Sequence, residues 1–217
     1  MGAAFLRDVT ENIRQAAAQA PVRGFVAFAP AGAEALFDGY LAPGTGLVLA
    51  DGAIEAPPGV QGFGLCLLHA IRSLLDLGFG TACVLNADSP TLPTAFLRDL
   101  ARALLRPGGD RAVLGPAEDG GYYVLGLKAA HAGMFSDIAW STERVAEQTR
   151  ARAAELGLDL TELPAWFDVD GPAALRRLMD ETEPPPQTGG SAVPFAAPAT
   201  MDALAPLRLS GRIAASG

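Results

Sequence analysis

Short apolar runs and longer amphipathic stretches take turns along this 217-residue chain, and that alternation constrains the fold more than any single motif. Gly24–Ala29, Gly46–Ala50, Thr81–Leu85, Arg111–Leu114, Gly121–Leu127 and Leu158–Leu163 read as strands. Ala3–Ala20, Ala31–Phe37, Gly62–Leu77, Thr94–Leu105, Ser141–Leu156 and Pro172–Met179 read as helices. Phe5, Val9 and Ile13 form one stripe, and Leu65, Leu68, Ile71, Leu74 and Leu75 another. Strands alternating with helices predict an α/β sandwich with a mostly parallel sheet. Thr81–Leu85 is apolar throughout, as expected of a central strand covered on both faces. Gly121–Leu127 follows its neighbour too closely for a helical crossover and is expected to be antiparallel or to sit at a sheet irregularity.

Half the residues are apolar and 18% are charged, enough for a sizeable core. From Glu183 the composition turns to proline, glycine and alanine. The expected organisation is one domain over residues 1–182 and a flexible tail over 183–217, with Met201–Leu207 as a short docking helix. The net charge of -8 argues against a nucleic-acid partner. It leaves room for a nucleotide bridged to carboxylates by a divalent cation. Cys66 and Cys83 lie among apolar residues and read as buried free thiols. Cys66-x-x-His69 resembles half a zinc site, but no second pair follows it. Without a signal-peptide pattern or an apolar run long enough to span a bilayer, a cytoplasmic location and no transmembrane segment are expected.

Four stretches place acids, glycines or hydroxyls where apolar strands should end: Asn86-Ala-Asp88-Ser-Pro90-Thr-Leu-Pro93, Gly115-Pro-Ala-Glu-Asp119-Gly-Gly-Tyr-Tyr123, Trp140-Ser-Thr142 and Trp166-Phe-Asp168-Val-Asp170-Gly171. Open α/β sheets bind ligands beyond their strand ends. Asp88 there suits Mg²⁺ or Mn²⁺ bridging a diphosphate, although Asp88-Ser89 could equally cap the next helix. Gly120 and Gly121 permit close backbone approach, or simply a tight turn. Ser141 and Thr142 at a helix N-terminus could contact an anion, or serve only as a cap. Asp168 and Asp170 fall on one side of an extended segment and can form a metal pair, or Asp170 can cap the helix at Pro172. An Asp-x-Asp phosphatase start is set aside because the motif lies late and the chain's only lysine is Lys128.

Taken in order, these motifs resemble the DUF2064 family of glycosyltransferase-like proteins, related to GT-A nucleotide-diphospho-sugar transferases. The resemblance implies a three-layer α/β/α nucleotide-binding fold and metal-dependent transfer of a sugar from a nucleotide donor to an acceptor. It puts Asp88 in the place of the metal-binding aspartate after the central strand, with Asp168 as its companion ligand. Asp119 and Asp170 become the catalytic carboxylates. Gly120, Gly121, Tyr122, Trp140, Ser141 and Thr142 become substrate-binding positions. Such proteins open with a strand and a basic loop, whereas this sequence starts inside the first helix, at Ala3-Ala-Phe-Leu-Arg7. An opened sheet is therefore expected. A nucleotidylyltransferase on the same fold and a non-catalytic homologue are the alternatives, and a homo-oligomer stays open.

Overall fold

The computed structural model describes residues 1–180 and 192–214. The chain runs through α1 (Gly2–Ala16), β1 (Phe25–Phe28), β2 (Gly46–Leu49), α2 (Phe63–Asp76), β3 (Ala82–Leu85) and α3 (Thr94–Leu105). It continues through β4 (Arg111–Pro116), β5 (Tyr122–Leu127), α4 (Val145–Glu155), β6 (Asp159–Glu162), α5 (Pro172–Asp180) and α6 (Pro198–Ala214). The six expected strands are all present.

Three helical expectations need correction. α1 stops at Ala16 rather than Ala20, because the residue before Pro21 is disfavoured in a helix. Within 31–37 only a 3₁₀ turn forms, at Glu34–Phe37, since Gly32 adopts φ +87°. Ser141 does not open the fourth long helix. It is exposed with φ +62°, and α4 begins at Val145.

The strands form two sheets, a parallel pair β1–β2 and a four-stranded sheet ordered β3–β5–β4–β6. β3, β4 and β6 run one way and β5 against them. This is the antiparallel strand expected after β4, and the β4–β5 register shifts at Gly115/Pro116. β3, expected to be central, is instead the edge of the larger sheet.

Helices cover both faces of that sheet, giving three layers. Alternate residues of β4 choose opposite sides: Ala112 and Leu114 pack with Leu68 and Ile71 of α2 and Ala153 of α4. Val113 instead joins Leu97, Leu100 and Leu104 of α3 and Ala16 of α1. Period-two alternation of a doubly covered strand produces this split. Complete burial of a leucine such as Leu114 or Leu125 contributes about 2–3 kcal/mol. The buried guanidinium of Arg111 ties α3 to the sheet, donating to Asp159 Oδ2 at 2.6 Å and to the carbonyl of Ala103 at 2.9 Å.

The expected 201–207 docking segment lies inside α6, which packs on α1. The preceding Pro184-Pro-Pro186 and Gly189-Gly190 stretch is outside the described residues. Asp8 holds the start of α6. Its carboxylate is 1% exposed and accepts from the backbone N–H groups of Ala199 (3.1 Å) and Thr200 (2.6 Å). Asp8→Ala leaves both donors unpaired and is expected to cost about 1–3 kcal/mol. Urea unfolding should record that loss, and amide exchange should quicken along α6 first. An unchanged midpoint would contradict this role.

Candidate functional site

Because β3, β4 and β6 run in one direction, the segments that follow them emerge at one end of the sheet. Three of the four sequence motifs are those segments. Backbone hydrogen bonds knit them together. The N–H of Val169 donates to the carbonyl of Asp88 at 2.9 Å, and that of Glu118 to the carbonyl of Trp166 at 3.0 Å. The Ser89 hydroxyl donates to the carbonyl of Phe167 at 3.0 Å. Arg177 of α5 lies 3.9 Å above the Phe167 ring and pairs with Glu118. The segment carrying Asp168 and Asp170 is thus fastened from both sides.

The result is a cluster of carboxylates. Asp119, Asp168 and Asp170 each place an oxygen within 4.8 Å of the others. Asp88 is outside that trio but interacts with it electrostatically. Burial raises the Asp88 pKa, and the charges of Asp170 and Asp119 add to the rise. Asp168 is pushed up to about 6, first by burial and then by Asp119, Asp170 and Asp88. Like charges gathered in one place oppose one another's ionisation. One oxygen of Asp88, Oδ1, is buried without a hydrogen-bond partner. An orphaned buried acceptor among repelling carboxylates is the environment that a divalent cation relieves. Oxygen-only donors fit Mg²⁺ or Mn²⁺, so the residues present suit the expected ion.

The raised Asp168 value has a sign that can be tested. The folded protein holds this proton more tightly than the unfolded chain, whose reference value is 3.8. Stability contributed here therefore falls as pH rises from that reference to about 6, and the repulsion is complete above it. Between pH 5 and pH 7, metal-free protein should lose more thermal stability than Asp168→Asn does. Mn²⁺, which binds the ionised carboxylates, should reverse the trend. Parallel melting curves for the two proteins across that range would contradict it.

The remaining expected site residues lie beside the cluster, and several have evident structural work. Gly120 adopts φ +93°; a Cβ there would sit 2.2 Å from the carbonyl oxygen of Glu143. Its own carbonyl accepts from the N–H of Ala146 at 2.9 Å, docking the loop against the start of α4. The N–H of Gly121 donates to Asp119 Oδ1 at 2.8 Å and fixes that carboxylate. Tyr122 meets Trp140 edge to face at 6.4 Å, and Trp140 meets the exposed Phe63 ring at 5.4 Å. Burial raises the Tyr122 pKa, and its hydroxyl has no partner. Thr142 closes a local turn, donating to the carbonyl of Ala139 at 2.7 Å and accepting from the N–H of Arg144. Ser141 is exposed at the tip of that turn.

Asn86 was not singled out from the sequence. Its side chain lies beside Asp88 and favours the charged carboxylate, while its own Oδ1 is buried and unpartnered. The Asn86-x-Asp88 spacing at a strand end was the available signal. The two histidines stand elsewhere: His69 Nδ1 is 3.4 Å from Asp51 Oδ1, and His131 pairs with Asp110.

A mostly parallel sheet between helical layers, with an acidic cluster past its strand ends, defines a GT-A-like α/β protein. The chain belongs to DUF2064, a family described as "uncharacterized protein conserved in bacteria", whose profile matches residues 12–142. Among solved structures it is similar to a "putative nucleotide-diphospho-sugar transferase" from Desulfovibrio desulfuricans G20, with TM-score 0.70 and 23% identity. The match covers 93% of this chain and 83% of the other. No curated protein matches the chain. No described helix is long and apolar enough to cross a membrane.

Proposed function

We propose that the protein is a metal-dependent glycosyltransferase that takes its sugar from a nucleotide-sugar donor. The observation carrying this reading is the convergence of Asp119, Asp168 and Asp170 within 4.8 Å, beside the unpartnered oxygen of Asp88. Asp88 and Asp168 would hold Mg²⁺ or Mn²⁺, with Asp119 beside them. When bound, the ion supplies positive charge for the diphosphate and its departure as the leaving group.

The chain's own groups do the rest. The Gly121 N–H orients Asp119, and the Asn86 side chain favours the ionised form of Asp88. Asp170, an exposed member of the trio, takes the proton of the acceptor hydroxyl as that oxygen bonds to the sugar's anomeric carbon and the bond to the phosphate oxygen breaks. Tyr122, Trp140 and Phe63 offer a run of ring surfaces on which a sugar face can stack.

The test is release of nucleoside diphosphate from a panel of UDP-, GDP- and CDP-sugars with Mn²⁺ and with chelator. Release that requires the metal supports the reading. Pyrophosphate release from a nucleoside triphosphate, without sugar-nucleotide turnover, would replace it with nucleotidyl transfer. Turnover of neither would leave a non-catalytic domain.

A further inference from the structure

Three polar side chains are buried in α1. Asp8 holds α6, and Thr10 accepts from the N–H of Ala42 at 3.0 Å. Asn12, only 2% exposed, reaches out of the helix to the segment that carries Asp88. Its Nδ2 donates to the carbonyl of Leu92 at 2.6 Å. Its Oδ1 accepts from the Thr94 hydroxyl at 2.6 Å. Burying an amide is costly unless its groups are paired, and an apolar residue here would pack between α1 and α3 without that cost. The pairing therefore calls for a use beyond packing.

That use lies in what surrounds Leu92. Residues 88–92 belong to no helix or strand, and Pro90 and Pro93 have no N–H to donate. The segment is held instead through its carbonyls. That of Asp88 accepts from the N–H of Val169, that of Ser89 from Leu92 and that of Thr91 from Phe195. The carbonyl of Leu92 accepts from Asn12. Val169, Phe195 and Asn12 are all distant in sequence, and of the three only Asn12 supplies a side chain. The Thr94 hydrogen bond fixes the far side of Pro93, so Asn12 spans the turn where the segment becomes α3. Firm anchorage matters at this place because the charges of Asp170 and Asp119 oppose that of Asp88. A segment free to yield would let the carboxylates spread and lose the arrangement that a cation needs.

The geometry points to Asn12 as a positioning residue: it fixes the Leu92–Thr94 turn and, through that turn, keeps Asp88 in place against the neighbouring carboxylates. Asn12 itself touches neither the ion nor a substrate. The inference rests on the reading of Asp88 as a metal ligand.

The experiment is calorimetric titration of the full chain with Mn²⁺, joined to amide exchange on the metal-free protein. Asn12→Leu, close to asparagine in shape, removes both hydrogen bonds. It should weaken Mn²⁺ binding by about tenfold, the lower end of the range for groups that stand behind metal ligands. In the same variant the N–H of Leu92, which bonds to Ser89, should gain more in exchange rate than the amides of β4. Thr94→Val removes one of the two bonds and serves if Asn12→Leu fails to fold. Thr94→Ser keeps the hydroxyl and should retain the parent's affinity. Leu68→Val truncates the core on the other face of the sheet; it should lower stability and leave Mn²⁺ affinity unchanged. Unchanged affinity in Asn12→Leu, or in Thr94→Val where it alone folds, would overturn the proposal and leave the metal reading standing. An equal loss of affinity in Leu68→Val would do the same. A parent protein that binds no Mn²⁺ would overturn both.

Discussion

Asp170→Asn is expected to reduce metal-dependent sugar transfer by about 100- to 10,000-fold, the scale of losing a positioned general base. The same substitution should leave the fold intact. Asp170 is exposed and stands within 4.8 Å of two other carboxylates. Removing its charge takes away one of the repulsions that raise Asp88 and Asp168. The metal-free variant should therefore melt at the same temperature as the parent or slightly above it. A purely structural role predicts the opposite pairing, with lower stability and activity lost only in proportion. Initial rates of nucleoside diphosphate release, measured beside thermal melts, separate the two.

Gly120→Ala should produce the largest loss of stability of any single methyl addition near the site. The added Cβ would lie 2.2 Å from the carbonyl oxygen and 2.6 Å from the Cα of Glu143, both backbone atoms that cannot rotate aside. The residue must also hold φ +93°, which only glycine adopts without strain. Strain and overpacking each cost about 1–3 kcal/mol. Together they should lower the melting temperature by roughly 4–24 °C in a chain of this size. Relief requires the loop to part from the start of α4, breaking the Ala146–Gly120 hydrogen bond and shifting Asp119. Mn²⁺ affinity should then fall along with stability. A stable Gly120→Ala protein with normal metal affinity would mean that the loop is not held as described.

These two positions also mark how far the sequence could be read. The six strands were legible because each is a short apolar run bounded by turn residues. The position of β3 was not. A continuous apolar run reports that both faces of a strand are covered, as α2 and α3 do here, but says nothing about whether both edges are paired. β3 has covered faces and one open edge. Ser141 failed as a helix start because Thr142 and Ala139 close a turn of their own first, delaying the helix to Val145. The acidic motifs were visible at strand ends, yet their convergence depends on contacts such as Ser89 to Phe167 that join distant parts of the chain. Gly120 could be read as permitting close approach, whereas its partner, the Glu143 backbone, is known only from the fold.

The account rests on the carboxylate cluster being a cation site that recruits a nucleoside diphosphate. Calorimetric titration of the full chain with UDP and with GDP, each with Mn²⁺ and with chelator, tests that claim most directly. One of them should bind at least tenfold more tightly with Mn²⁺, and Asp88→Asn should abolish the difference. Equal affinity with and without the metal, or no binding of either nucleotide, would contradict it.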